Sequence, residues 1–390
     1  MVVIITLLIQ CSRVSKEPPS QNEISIRISP EFRTETLKMS DLYDVIKYLP
    51  LQTDEDCIFG NITKLIVKDH CFWIFDDLTN SIFCFDENGN YKFKISDEGK
   101  GPGEYLKIND FIYYNKCIYV LDVGSGKILV YDNLGKFKNE INKRIYSTSF
   151  EKIDENFIFY SAFMQNERYK NKNQFQNLII TDSLFRKVDV FLPFSKKIAA
   201  NAILRSPRNL QKYGQEVLIW QPLDNNIYTY DNHLPTVKYK IDFGEENKEV
   251  QSVITKQVSS PNWNAGKTED LINQLNYCSI IDYVETKSFL HFIYRQKEYF
   301  HFVFFIKENR KVIDLSAKSE KNSPPVPLIN DIDGVLHYPL LTSSSDTVYS
   351  YANAYELIIN DPKNPCIKQS LITENSNPII VFIKIKNQSL

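Results

Sequence analysis

The chain has 390 residues, 43% hydrophobic and 24% charged, with a formal net charge of −2. That balance excludes bulk disorder and, with no Lys/Arg run longer than two residues, removes the electrostatic footprint of a nucleic-acid binder. The 25 Phe and 23 Tyr, against three Met, favour strands, and the length allows two or three ordinary domains or one large repetitive one.

The N-terminus reads MVVIITLLIQCSRVSKEPPSQNE. Val2 to Ile9 is an apolar run too short to cross a bilayer as a helix and long enough for the apolar region of a signal peptide. It ends at Leu8-Ile9-Gln10-Cys11, after which the chain turns polar and carries Pro18-Pro19. This pattern resembles a bacterial lipoprotein signal, in which the cysteine, here Cys11, is lipidated and becomes the first mature residue. Residues 1–22 are then signal and tether. No basic residue precedes the run, and Gln10 stands where a small residue is usual; the competing reading is a terminus that packs as an extra strand. The other cysteines, Cys57, Cys71, Cys84, Cys117, Cys278 and Cys366, form no C-x-x-C pair and no disulfide framework, so buried thiols are expected.

Residues 62–95 align without a gap on residues 108–141, an offset of 46. Cys71 falls on Cys117, Asp76 on Asp122, Ile82 on Ile128, Asp86 on Asp132 and Gly89 on Gly135. Each unit has an apolar strand ending in Asp, a polar turn, a second apolar strand ending in Asp, then x-x-Gly before a third strand. The Asp-x-x-Gly stretches read as hairpin turns, Asp bonding its own backbone and Gly supplying positive φ. Several short strands repeating at this period mark the blades of a β-propeller.

Between the two units lies DEGKGPGEY, with Gly99, Gly101, Pro102, Gly103 and Tyr105. Glycines so dense suggest a phosphate cradle, but a cradle needs a helix after it, and here Tyr105 to Phe111 runs into a β pattern. Pro102 also removes one amide. The segment is expected to be a corner between blades, with Tyr105 plugging the gap.

G-x-G-P-G-E-Y before a strand, then IYVLD…KILVYDNLGKF, resembles the repeat of NHL-type propellers and, more closely, the six-bladed β-propeller lipoproteins of Bacteroidetes. VIKYLPLQT (45–53), Asn226-Ile227-Tyr228, Ile241-Asp242-Phe243-Gly244, Asn330 to Gly334 and Asn377 to Val381 carry the resemblance through the chain. It implies an all-β fold of six four-stranded antiparallel blades in the cell envelope, lipid-anchored on the periplasmic side or at the surface, at the outer membrane. It implies no settled activity.

The remaining blades are expected near 150–194, 213–243, 277–314 and 330–386, following 62–95 and 108–141. Blade three should carry a charged hairpin loop at 166–173. Between Gly244 and Tyr277 the alternation lapses, and TEDLINQLN (268–276) fits a short helix with Thr268 as its N-cap. Blade six is expected to use 331–339, 347–352 and 379–386. An N-terminal strand, Val45–Leu51 or Ile24–Ile28, should close the ring and remove its open edge.

Catalytic signatures are sparse. The five histidines show no metal spacing and there is no nucleophile elbow; His291 and His301 read as packed aromatics. Asp76 and Asp122 recur at equivalent positions, which points to a structural role. Asp331-Ile332-Asp333-Gly334 faintly resembles a calcium loop but lacks the third acidic position and distal glutamate, so no cofactor is expected, with Ca²⁺ a minor alternative. Asp182-Ser183-Leu184 and Asp346-Thr347-Val348 match an O-glycosylation tripeptide of Bacteroidetes envelope proteins, short enough to arise by chance.

Two functions follow. One is a ligand- or protein-binding module, taking a peptide, glycan or envelope protein, with no catalysis of its own and no membrane contact beyond the anchor. The other is a metal-dependent hydrolase or lyase at the mouth of the central channel. Candidate residues there are Glu104, Asn109, Asp110, Asn330 and Asp331.

Overall fold

A computed structural model describes residues 23–29, 37–143, 145–167, 174–194, 196, 208–260, 263, 267–318, 328–332, 334–335, 340–344, 347–360 and 372–386. Cys11, Asp333, His337, Asp346, Cys366 and most of the expected loop at 166–173 lie outside them.

Six antiparallel four-stranded sheets form a six-bladed β-propeller. Blade one is Lys64–Lys68, Cys71–Asp76, Ser81–Asp86 and Tyr91–Ile95. Blade two is Ile108–Tyr114, Cys117–Asp122, Lys127–Asp132 and Phe137–Asn142. Blade three is Ser149–Ile153, Asn156–Tyr160, Gln176–Asp182 and Val188–Pro193, and blade four is Leu210–Tyr213, Glu216–Trp220, Asn226–Tyr230 and Thr236–Asp242. Blade five is Ser279–Glu285, Phe289–Gln296, Tyr299–Ile306 and Val312–Lys318. Blade six joins Thr342–Ser344, Thr347–Ala352 and Ile379–Ile385 to Tyr43–Leu49, with Val381 opposite Tyr48 and Ile383 opposite Ile46. The N-terminal strand thus closes the ring. Ile24–Arg27 instead adds a fifth strand to blade four, parallel to Thr236–Asp242.

The inner strand of blade six departs from expectation. It is Thr342–Ser344, while Asp331 and Ile332 form a turn. Asn330 explains the difference: its Oδ1 accepts the Ile332 amide at 3.1 Å, and its Nδ2 donates to the Val335 carbonyl at 2.6 Å. Gly334 follows at φ +76°. Turn chemistry of this kind overrides a strand.

Blades adhere through side chains on both sheet faces. Trp73, Phe75, Cys84, Tyr105, Phe111 and Tyr131 share one cluster between blades one and two. Tyr105 is fully buried, its hydroxyl donating to the carbonyls of Asn80 at 2.8 Å and Ile95 at 3.2 Å. Cys57, Cys71, Cys84 and Cys278 are buried free thiols, and Cys117 is half-buried.

Strand direction alternates, so connections between blades and between second and third strands share one face. The described parts of the longer connections begin and end there, at 161–167 and 174–175, 194 and 208–209, 243–260 and 267–278, 328–332 and 340–341, and 353–360 and 372–378, with the helices Glu245–Val258, Lys267–Gln274 and Ala354–Asn360. On the opposite face, turns between consecutive strands span at most five residues, as in 183–187 and 231–235. The long insertions gather on one side.

Candidate functional site at the propeller axis

Each blade begins with its innermost strand, and all six start on the insertion-bearing face. In the 46-residue alignment Ile62-Thr63-Lys64-Leu65 falls on Ile108-Asn109-Asp110-Phe111. The two equivalent charges meet: Lys64 Nζ donates to Asp110 Oδ1 at 2.7 Å. Lys64 also stands 3.9 Å from Glu151 Oε1 of blade three. A contact that skips from blade one to blade three is possible only near the axis.

Blade five repeats the arrangement. β-Bulges interrupt the inner strands at Ile108/Asp110 and at Ile280/Asp282, and a bulge re-aims the side chain that follows it. Asp110 Oδ1 accepts the Phe111 amide and Asp282 Oδ1 accepts the Tyr283 amide, each at 2.8 Å. Arg208, from just before blade four, donates to Asp282 and to the carbonyls of Leu340 and Leu341. In a ring of six, blades two and five stand opposite, so two aspartate–cation pairs face each other across the axis. Glu151 and Lys212 lie between them; Lys212 Nζ donates to the Lys152 carbonyl at 3.0 Å.

Lys64 and Arg208 face Asp110, Glu151 and Asp282, and Lys212 approaches Glu151 from the far end of its strand. Burial pushes the Glu151 carboxyl up to about 7, opposed by Lys64 and reinforced by Asp110. Burial likewise pushes Asp282 up to about 6, opposed by Arg208. Burial pulls Lys64 down, but Asp110 and Glu151 outweigh it and hold the ammonium above its ordinary value. Burial lowers Lys212. Among the described residues no three His, Cys, Asp or Glu side chains are grouped to hold a metal ion.

Of the five residues singled out from sequence, Asp110 enters this group. Glu104 turns into the glycine corner, its carboxylate accepting the Gly101 amide at 2.7 Å. A Cβ on Gly99 would come within 1.9 Å of that carboxylate. The corner thus holds an anion of its own, and Gly103, at φ +82°, passes against the Phe137 ring. Pro102 lies in the same turn, and the strand Ile108–Tyr114 follows it. Asn109 Oδ1 accepts the Val123 amide at 3.1 Å. Asn330 closes the turn described above, and Asp331 accepts the Ser40 amide at 3.0 Å and hydroxyl at 2.6 Å.

The recurrent Asp76 and Asp122 are buried turn residues. Asp76 accepts from the Leu78 amide at 3.1 Å and the Thr79 hydroxyl at 2.8 Å; Asp122 accepts the Leu106 amide at 2.8 Å. His291 stacks on Phe304 at 4.4 Å and His301 on Tyr294 at 4.2 Å, as packed aromatics. Lys64, Glu151, Arg208, Lys212 and Asp282 were not singled out from sequence. The repeat held a signal for one of them, since it sets Lys64 on Asp110.

The family model for DUF4934, a domain of unknown function, matches residues 23–384. The chain belongs to the DUF4934 family. No curated protein matches it. This DUF4934 chain is similar to the crystal structure of a predicted exported protein of Bacteroides fragilis, with TM-score 0.74 and 19% identity over 94% of this chain and 100% of that one. It also matches a DUF4221 family member from Bacteroides vulgatus, with TM-score 0.47 and 11% identity over 88% of this chain and 97% of that one. The first likeness establishes the shared fold.

Proposed function

We propose that this DUF4934 chain is a lipid-anchored binding module of the cell envelope, without catalysis of its own, whose ligand site is the axial mouth on the insertion-bearing face. The observation that carries the proposal is the convergence of two cations, Lys64 and Arg208, with three carboxyls, Asp110, Glu151 and Asp282, in the inner-strand region of several blades, where those strands begin on the face of the long connections. A polar mouth carrying both signs of charge suits a glycan, a peptide or a polar segment of an envelope protein. A hydrolase or lyase built on a metal would need open oxygens at the axis. Here Asp110 and Asp282 are bonded to cations, and Glu151 lies beside Lys64.

The apolar run Val2–Ile9 followed by Cys11 supports a lipid anchor. The predicted exported Bacteroides fragilis protein of the same fold supports an envelope or secreted location; the periplasmic side or surface of the outer membrane is the location proposed here. Two experiments test the proposal. Metabolic labelling with a palmitate analogue should mark the full chain, and Cys11→Ala should abolish the label; equal labelling of that variant would refute the anchor. Screening the chain against glycan and peptide panels should give ligands whose binding weakens at least tenfold in Asp282→Asn; ligands indifferent to Asp282→Asn and Glu151→Gln would place the site elsewhere.

A further inference from the structure

The fifth strand of blade four fixes where the N-terminal segment departs. Ile24 pairs with Tyr239 and Arg27 with Asp242, in parallel. The N-terminal end of this strand, at Glu23 and Ile24 on the outer edge of blade four, is therefore directed to the side of the 231–235 hairpin, which precedes Thr236. Leu234 in that hairpin is 64% exposed. The same hairpin, between third and fourth strands, carries Leu134 in blade two, 59% exposed, and Leu184 in blade three, 66% exposed. Blades one and five have Glu87-Asn88-Gly89-Asn90 and Lys307 to Lys311 (KENRK) there instead. Exposed leucines scattered singly need no explanation, but here one leucine stands at the equivalent turn of each of three adjacent blades, beside Lys136 in blade two and Arg186 and Lys187 in blade three, and together they mark one sector of this face. In blade two the turn itself holds the leucine out, Asp132 Oδ1 accepting the Leu134 amide at 2.9 Å.

Cys11 lies twelve residues before Glu23. Coil of that length spans roughly 20 Å on average and about 40 Å fully extended. A lipid at Cys11 would thus hold the leucine-bearing edge close to the bilayer. Resting on the anchor proposed above, we infer that the outer hairpins of blades two to four dock on the membrane surface. Leu134, Leu184 and Leu234 enter the interfacial layer, and the insertion-bearing face with its axial mouth stays open to solvent.

The test places an environment-sensitive fluorophore on Leu134→Cys, Leu184→Cys and Leu234→Cys, with Asn88→Cys and Glu308→Cys as controls and the unsubstituted chain as blank. The full acylated chain is reconstituted in phosphatidylethanolamine–phosphatidylglycerol vesicles containing brominated lipid. The three leucine positions should shift to the blue and lose more than half their emission, while positions 88 and 308 stay aqueous. If the protein floats with vesicles but all five positions stay aqueous, docking is refuted and the anchor stands. A blue shift already present without vesicles would assign the sector to another protein surface, such as a second copy, and also refutes docking. Failure to float at all removes both anchor and docking.

Discussion

Glu151 is a carboxyl buried among Lys64, Asp110 and Lys212, and its pKa is pushed up to about 7. A carboxyl raised by folding binds its proton more tightly folded than unfolded. Stability therefore falls as pH rises from its ordinary value near 4.5 through about 7, and the loss is complete above that. Glu151→Gln should accordingly stabilise the fold by roughly 1–3 kcal/mol at pH 8 and by little at pH 5, read as the difference in denaturant midpoints. An equal effect at both pH values would contradict the buried, proton-linked assignment. Glycines give a second contrast at this scale. Gly135 has φ +78° and a Cβ there would come 2.5 Å from the Phe93 ring, whereas Gly126 has φ +71° and open space around it. Gly126→Ala should cost about 1 kcal/mol of strain, and Gly135→Ala clearly more, by thermal melts of the two variants. The turn glycines were legible because Asp-x-x-Gly recurs in register. Glu104 was not: its carboxylate fills its own loop, and only the folded corner shows an anion already in place.

Between elements, the junction of blades four and five rests on Glu285, whose side chain is almost fully buried. It accepts from Tyr239 Oη at 2.8 Å and lies 3.0 Å from Lys238 Nζ, while Lys307 Nζ bonds it at 2.5 Å. Glu285→Ala would leave the mostly buried Lys307 ammonium without its carboxylate, while Lys238 keeps Glu216, with an expected cost of about 3 kcal/mol in denaturant unfolding; a loss under 1 kcal/mol would show the network to be ornamental. Ring closure has its own clasp. Asn377 accepts the Phe59 amide at 2.9 Å and donates to the carbonyls of Gln52 at 2.8 Å and Cys57 at 3.0 Å. Asn377→Ala should destabilise by roughly 1–3 kcal/mol and raise hydrogen exchange in 43–60 before other segments. Strand patterns made most blades legible. The helical insertion expected near 249–276 begins earlier, at Glu245: in EENKEVQSVITKQV the first apolar residue is Val250, and of the apolar residues Ile254 and Val258 are buried while Val253 is exposed, so the first turn carries no apolar signal. The inner strand of blade six was misplaced because the Asn330 turn, read as part of a strand, holds Asp331 and Ile332 instead.

At the scale of the whole molecule, six sheets close on an axis and bring together charges that are remote in sequence. The 46-residue repeat revealed the blades, because local patterning repeats with them. The axial group was mostly illegible, because Glu151, Arg208, Lys212 and Asp282 belong to diverged blades and converge only when the ring forms. The most direct test is hydrogen–deuterium exchange of the full chain with the strongest ligand from the glycan and peptide panels. Bound ligand should slow exchange in the inner-strand segments 62–66, 108–112, 149–152, 208–213 and 280–284 together. Slowing confined to outer strands, or to a single blade, would contradict an axial binding site.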